Sequence, residues 1–153
     1  MTSTKPAPSL QDRAMRAFAR AAISVHTFLY RQTNGAFGGK MGPNKILLLT
    51  TIGRRTGKQH TWPLVFFQDN KQIMVVASNG GADRHPAWFL NLQQHPRATI
   101  QIGGTQTKVR AQAASGAERD QLWRVIISQG PQFANYQTNT KREIPVVVLT
   151  PEV

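Results

Sequence analysis

Short β-forming runs joined by turns too brief to hold a helix are the feature that most limits how this chain can fold. Lys45–Ile52 is apolar and bounded by turn signals; His60–Gln68 and Gln72–Ser78 follow it after Gly53–Gln59 and Asp69-Asn70-Lys71. Ala98–Ile102 and Thr105–Ala113 are separated only by Gly103-Gly104, a strong two-residue hairpin signal. Connections this short join antiparallel neighbours, because a parallel pair needs a crossover, usually a helix. Pro145–Leu149 reads as a last strand. A doubly wound parallel sheet, which needs a helical crossover after most strands, does not fit. The expected class is α+β: a small, mainly antiparallel β-barrel with peripheral helices.

The helices are marked by a different period. From Leu10 to about Arg31, apolar residues recur at three- and four-residue steps (Ala14, Phe18, Ala21, Val25, Phe28, Leu29), with Arg13, Arg16 and Arg20 between them. Thr33–Asn44, carrying Gly35, Gly38, Gly39, Gly42 and Pro43, reads as a flexible connection. Pro86 suits the first position of a helix running through Ala87 to about Gln94. Ser115 and Glu118 have the spacing of a capping box opening a helix to about Gln129. Phe133–Asn139 reads as a short helical turn. The organisation expected is a disordered Pro- and Ser-rich tail over 1–9, a basic amphipathic helix over 10–31 and a barrel over 32–153.

Composition narrows the chemistry. The chain has 153 residues, the length of one domain, and no cysteine, so disulfides and thiolate metal sites are excluded. Histidines 26, 60, 85 and 95 have no metal-ligand spacing and carboxylates are few, so no metal is expected. A hydrolase elbow, G-x-S-x-G, is missing. What remains is chemistry that a cofactor carries while the protein binds and orients it. Nineteen Lys and Arg against seven Asp and Glu give a net charge of +12, a field that attracts anionic partners. The basic residues are dispersed and accompany no nucleic-acid-binding signature, so nucleic acid is not an expected partner. No apolar run approaches the roughly 20 residues that span a bilayer, and no secretory signal is legible. The expected location is cytoplasmic. The 10–31 helix either docks on the barrel or lies on an anionic membrane surface at the inner face of the cell membrane. The expected assembly is a monomer or homodimer.

Three segments carry candidate site residues. In Thr50-Thr51-Ile52-Gly53-Arg54-Arg55-Thr56-Gly57-Lys58-Gln59-His60, two glycines allow a tight turn with exposed amides, and Arg54, Arg55 and Lys58 add positive charge. That suits phosphate or carboxylate, although a solvated basic hairpin reads equally well. It is not a phosphate-binding Walker loop, since only three residues separate the glycines and no Ser or Thr follows Lys58. Val76-Ala77-Ser78-Asn79-Gly80-Gly81 ends a strand in small residues, which let a planar ligand approach the backbone, or simply terminate it. In His85-Pro86-Ala87-Trp88-Phe89-Leu90-Asn91-Leu92, Trp88 and Leu92 share a core face, while Asn91 lies on the opposite side within reach of a ligand.

Together these pieces resemble the deazaflavin-dependent nitroreductase family, actinobacterial reductases that use coenzyme F-420. The resemblance spans about residues 30 to 151 and rests on LLLTTIGRRTGK, WPLVF, VVASNGGADRHPAWFLNL, IQIGG, ANYQ and REIPVVVL, in order and at similar spacing. It implies a split β-barrel of the flavin-reductase, FMN-binding type. It also implies that Arg54, Arg55, Thr56 and His60 hold the cofactor's phosphate and acidic tail. Pro63, Leu64, Val76, Ala77, Ser78 and Asn79 would line the deazaflavin ring, with Ala87, Trp88 and Asn91 closing the other side. Val65, Phe133 and Tyr136 would meet the substrate. The expected activity is hydride transfer from the reduced deazaflavin to a small organic acceptor such as a quinone, enone or nitro compound, with Ser78 and Tyr136 as catalytic candidates. The alternatives are a non-catalytic deazaflavin-sequestering protein and an FMN-binding barrel.

Overall fold

The computed structural model describes residues 6–153. The expected 1–9 tail falls largely outside them, and its last residue is not part of a tail. Ser9 is the N-cap of α1 (Leu10–Gln32): its hydroxyl accepts the Asp12 N–H, while the Asp12 carboxylate accepts the Ser9 N–H at 3.0 Å. This reciprocal pair satisfies donors that a helix start leaves open. The box expected at Ser115 and Glu118 does not form. Ser115 caps α3 (Gly116–Gln129) only by position, because Gly116 follows at φ +59° and turns the chain through the left-handed region.

The strands are β1 (Lys40–Met41), β2 (Asn44–Ile52), β3 (Gln59–Asp69), β4 (Gln72–Val76), β5 (Arg97–Ile102), β6 (Thr105–Ala113) and β7 (Val146–Pro151). All neighbours are antiparallel, in the order β1-β2-β3-β4-β7-β6-β5. Leu48–Thr50 of β2 also pairs with Thr99–Gln101 of β5, closing six strands into a split β-barrel. The fold class is the one expected from the turn lengths. Helix α2 (Ala87–Gln94) starts one residue later than expected, with Pro86 extended at ψ 152° as its N-cap. Helix α4 is Gln132–Thr138.

Strand alternation divides the core. Leu47, Leu49, Phe66, Val75, Val147 and Leu149 fill the barrel together with Trp88, Phe89 and Leu92 of α2. Their neighbours Phe67, Met74, Val76, Val146 and Val148 face outward against Leu122 and Ile126 of α3 and Phe133 of α4. On a third side Ile46 and Leu48 pack on Tyr30 of α1.

Tyr30 is 1% exposed and stands at the barrel's closure. Its hydroxyl lies 3.0 Å from the Ile46 carbonyl and 3.3 Å from that of Gln101, and accepts the Gly103 N–H at 2.9 Å. One side chain thus ties α1, β2, β5 and the β5–β6 turn. The 33–44 stretch, expected to be a flexible connection, is organised from α1 as well. Thr33 Oγ1 accepts the Phe37 N–H, His26 Nε2 donates to the Gly38 carbonyl at 2.8 Å, and β1 pairs with β2. Toward its N-terminus α1 leaves the barrel, and Leu10, Met15 and Phe18 are exposed.

Replacing Tyr30 with Phe keeps the ring but leaves the Gly103 amide without its partner. It should cost about 1–3 kcal/mol of stability, read as a lower urea midpoint at unchanged m-value.

Candidate functional site

Three adjoining cavities open between the barrel, α1 and α2. The first, about 250 Å³, is walled by the basic turn after β2 (Gly53, Arg54, Arg55, Thr56), by His60 and Trp62 of β3, and by Ala87 and Asn91 of α2. The second, about 580 Å³ and within the ordinary size range of small-molecule sites, is bounded by Leu64, Val76, Ser78, Asn79, His85 and Trp88, with Ile23 of α1 on its rim. The third, about 820 Å³, runs between α1 and β3 past Arg20, Thr27, Arg31 and His60. Trp62 and Ala87 belong to all three, so the cavities meet at one junction. Cations line one arm and apolar side chains another.

The basic turn is folded inward more than its sequence implies. Gly53 N–H donates to the Lys58 carbonyl at 2.7 Å, Gly57 N–H to that of Gly53, Lys58 N–H to Thr56 Oγ1, and Arg54 N–H to Asn91 Oδ1. Four amides expected to face a ligand are therefore used within the protein, and attraction for an anion falls to side chains. A Cβ at Gly53 would meet Thr56 Oγ1 at 2.8 Å and His60 Nε2 at 2.9 Å, so a larger residue there would push both side chains aside.

Asn91 is the brace of this arm. Expected on an open helix face, it is 3% exposed. Its Oδ1 accepts both the Arg54 backbone N–H and Nη1 (3.0 Å), while Nδ2 donates to Thr51 Oγ1 at 3.1 Å. Asn91 therefore reaches the cavity mainly by aiming Arg54. Arg55, Thr56 and His60 remain exposed beside it.

Of the other expected residues, Leu64, Val76, Ser78, Asn79, Ala87 and Trp88 come together in the second cavity. Pro63 and Val65 do not, since they alternate with Leu64 along β3 and take its outer face; Pro63 lies opposite outward-facing Leu48. Ala77 is fully buried in the barrel. Phe133 packs edge-on to Phe67 at 5.3 Å in the core beneath α3 and α4, and Tyr136 packs edge-on to Phe133 at 5.2 Å. Tyr136 thus lies against this cluster and is not among the residues lining the Ser78 cavity. The residues missed by sequence reading include Trp62, two positions from both His60 and Leu64 and therefore on their face of the strand. Others are Ile23, Arg20 and Arg31 of α1, whose place depends on how the helix docks. Arg31 Nη2 donates to Thr61 Oγ1 at 3.2 Å, fixing α1 to β3.

Arg142 and His85 were likewise missed. The Arg142 guanidinium donates to the carbonyls of Ala77 (3.2 Å), Ser78 (2.9 Å) and Ala82 (2.8 Å), and to His85 Nδ1 at 3.1 Å. Burial, reinforced by the Arg142 charge, holds the His85 pKa below its ordinary value of 6.5.

Comparison with known proteins fits this geometry. A family model described as F420H(2)-dependent quinone reductase matches residues 22–151. An F420H(2)-dependent quinone reductase of Mycobacterium tuberculosis is 36% identical over 132 residues, covering 84% of this chain and 89% of the relative. A second, putative one from the same organism is 38% identical over 109 residues, 71% of this chain and 92% of the relative. Among solved structures, an F420-H2 dependent reductase superposes with a TM-score of 0.63 at 35% identity, covering 68% of this chain and 92% of that one. A domain-swapped dimer superposes with a TM-score of 0.66 at 30% identity, covering 92% and 99%. With the match running from within α1 to the end of β7, this chain belongs to the F420H(2)-dependent quinone reductase family.

Proposed function

We propose that the three-armed cavity binds reduced coenzyme F-420 and brings it to a quinone-like acceptor, Arg54, Arg55, Thr56 and His60 holding the anionic phosphate and tail. The observation that carries this reading is the meeting, at Trp62 and Ala87, of a cation-lined arm and a mainly apolar one. A cofactor with an acidic tail and a planar ring needs both. The donor set fits: guanidinium groups match phosphate and carboxylate oxygens, while Leu64, Val76 and Trp88 offer apolar surface to the ring. Arg20 and Arg31 extend the positive charge along the third arm, giving the tail a path between α1 and β3.

When bound, the reduced deazaflavin supplies the hydride, and the protein supplies position and electrostatics. Asn91 holds Arg54 in one geometry before the ligand arrives, which lowers the ordering cost of binding. Ser78, on the wall of the second cavity, offers a hydroxyl for the acceptor oxygen as negative charge grows there. Tyr136 packs against Phe133 and is not among the residues lining the Ser78 cavity. A role for it as proton donor is therefore weaker than one for Ser78, and solvent protonates the product.

Titration with the deazaflavin beside FMN tests the cofactor. Reoxidation of the reduced deazaflavin by menadione, an enone and a nitroaromatic tests the acceptor. The deazaflavin should bind more tightly than FMN, and menadione should be turned over. Binding without turnover by any acceptor favours the sequestering reading, and preference for FMN favours the flavin one. Arg54→Ala and Arg55→Ala should each weaken deazaflavin binding by about tenfold or more, the loss of a charge-assisted contact. The difference from wild type should shrink as salt is raised. Unchanged affinity would misplace the tail.

We also propose that α1 rests on an anionic membrane, where lipophilic quinones reside. Support comes from Met15, Phe18 and Val25, 58–78% exposed, on a helix that also carries Arg13 and Arg16. Among the described residues no helix is long and apolar enough to cross the bilayer. Because Tyr30 anchors the barrel, point substitutions test this better than truncation. Met15→Ser with Phe18→Ser should reduce co-sedimentation with vesicles rich in anionic lipid while leaving cofactor affinity intact. Equal sedimentation would reject the surface, and loss of a dimer instead would assign the face to a second copy.

A further inference from the structure

Arg142 makes an unusual claim on the wall of the Ser78 cavity. Its guanidinium gathers three carbonyls from the segment after β4, those of Ala77, Ser78 and Ala82, and in addition a ring nitrogen of His85. It is held in place from behind. Gln137 of α4 donates from Nε2 to the Arg142 carbonyl at 2.8 Å, while its Oε1 accepts the Ile144 N–H at 2.9 Å. Arg119 of α3, 7% exposed, donates to the Ile144 carbonyl at 2.7 Å. The clamp therefore runs from α3 and α4 through 142–144 to the segment that carries Ser78.

A guanidinium has donors and no acceptor. The nitrogen it meets, His85 Nδ1, must present a lone pair, so the ring proton sits on Nε2 and the imidazole is neutral. The two ring nitrogens point apart. Arg142 lines a separate cavity with Asp83 and Thr140, whereas His85 lines the one containing Ser78. His85 borders the Ser78 cavity while its Nδ1 meets Arg142, which leaves Nε2 as the ring nitrogen available to that cavity. Phe89, 4.8 Å away ring to ring, supports its position.

We infer that His85, fixed by Arg142 as a neutral Nε2–H tautomer, is a hydrogen-bond donor to the oxygen of the hydride acceptor, with Arg142 as its positioning residue. The inference rests on the cofactor reading above. As hydride joins the acceptor, an electron pair moves onto the acceptor's carbonyl oxygen, and His85 Nε2–H stabilises the resulting oxyanion beside Ser78. The proton that completes the product comes from water, since a neutral imidazole is too weak an acid to give up its own. Because a proton on Nδ1 would remove the lone pair that accepts from the guanidinium, Arg142 can orient this donor only while the ring is neutral. The charged groups around it are Arg142 against Nδ1, Arg84 in the same cavity and Asp83, whose Oδ1 accepts the Thr140 hydroxyl. Burial and Arg142 both oppose protonation. The unfolded chain therefore takes up this proton near pH 6.5, the folded chain only at lower pH. Stability from this group is complete above that value and falls as pH drops below it.

The test uses ring-nitrogen NMR of the full chain together with kinetics. Wild type should show a protonated Nε2 and an unprotonated Nδ1 for His85 between pH 6 and 8, with no histidine inflection in kcat/KM for menadione over that range. His85→Phe should lower kcat by about 10- to 100-fold, at the low end for loss of one oxyanion donor, with deazaflavin Kd within about twofold of wild type. His85→Gln, which keeps an N–H at similar reach, should recover part of the loss. Arg142→Met should release Nδ1 and bring a histidine inflection near the ordinary value into the pH profile; Arg142→Lys should restore the flat profile in part. A proton on Nδ1, an unchanged kcat in His85→Phe, or a defect confined to cofactor Kd would each overturn the proposal. Wild-type protein that never reoxidises the cofactor would instead sink the reductase reading, while the tautomer remained measurable.

Discussion

The closing pair of strands is the constraint on which the rest depends. Leu48–Thr50 against Thr99–Gln101 is a three-residue register, shorter than the seven pairs joining β2 to β3 or the six joining β5 to β6. Without it the sheet would be open, with two edges of unsatisfied backbone groups, and Leu47 and Leu49 would lose the opposing side chains of β5 and β6. Tyr30 reinforces this weakest seam from outside by bonding across β2, β5 and the β5–β6 turn. Closure also decides function, because the cavities form where β2, β3, α1 and α2 meet around the barrel.

The binding arms inherit their order from the same frame. Asn91 lies on α2, whose Trp88, Phe89 and Leu92 plug the barrel, so its amide reaches back to Thr51 and Arg54 with little freedom. A flexible basic turn becomes a directed cation. On the other side, the Arg142 guanidinium performs the equivalent task for the Ser78–His85 segment, which contains left-handed residues Asn79, Gly80 and Gly81 and little regular structure of its own. Both loops of the site are thus braced by one buried or half-buried polar side chain from an element far away in sequence.

Much of this was legible from residue order. Hairpin-length turns imposed antiparallel neighbours, Gly103-Gly104 marked β5–β6 correctly, and the apolar run Lys45–Ile52 marked a buried strand. The basic GRRTGK turn and the small-residue end of β4 both reached the cavities. Local signals failed where backbone geometry intervened: the Ser115–Glu118 spacing suited a cap, yet the left-handed Gly116 broke it, while the working cap lay at Ser9 and Asp12. The resemblance assigned Pro63 and Leu64 to the ring and Val65 to the substrate, although a strand sends adjacent side chains to opposite faces.

By itself the sequence determined the six barrel strands (though not the short β1), the antiparallel pairing and the charge that favours an anionic ligand, because these follow from turn length, periodicity and composition. Only the tertiary structure decided which cations face the site, that Asn91 is a brace, that Tyr136 lies in a core cluster rather than beside Ser78, and that Arg142 meets His85 57 residues away. Those are contacts between segments distant in the chain. No local pattern encodes them; they exist only once the barrel has closed and brought its ends together.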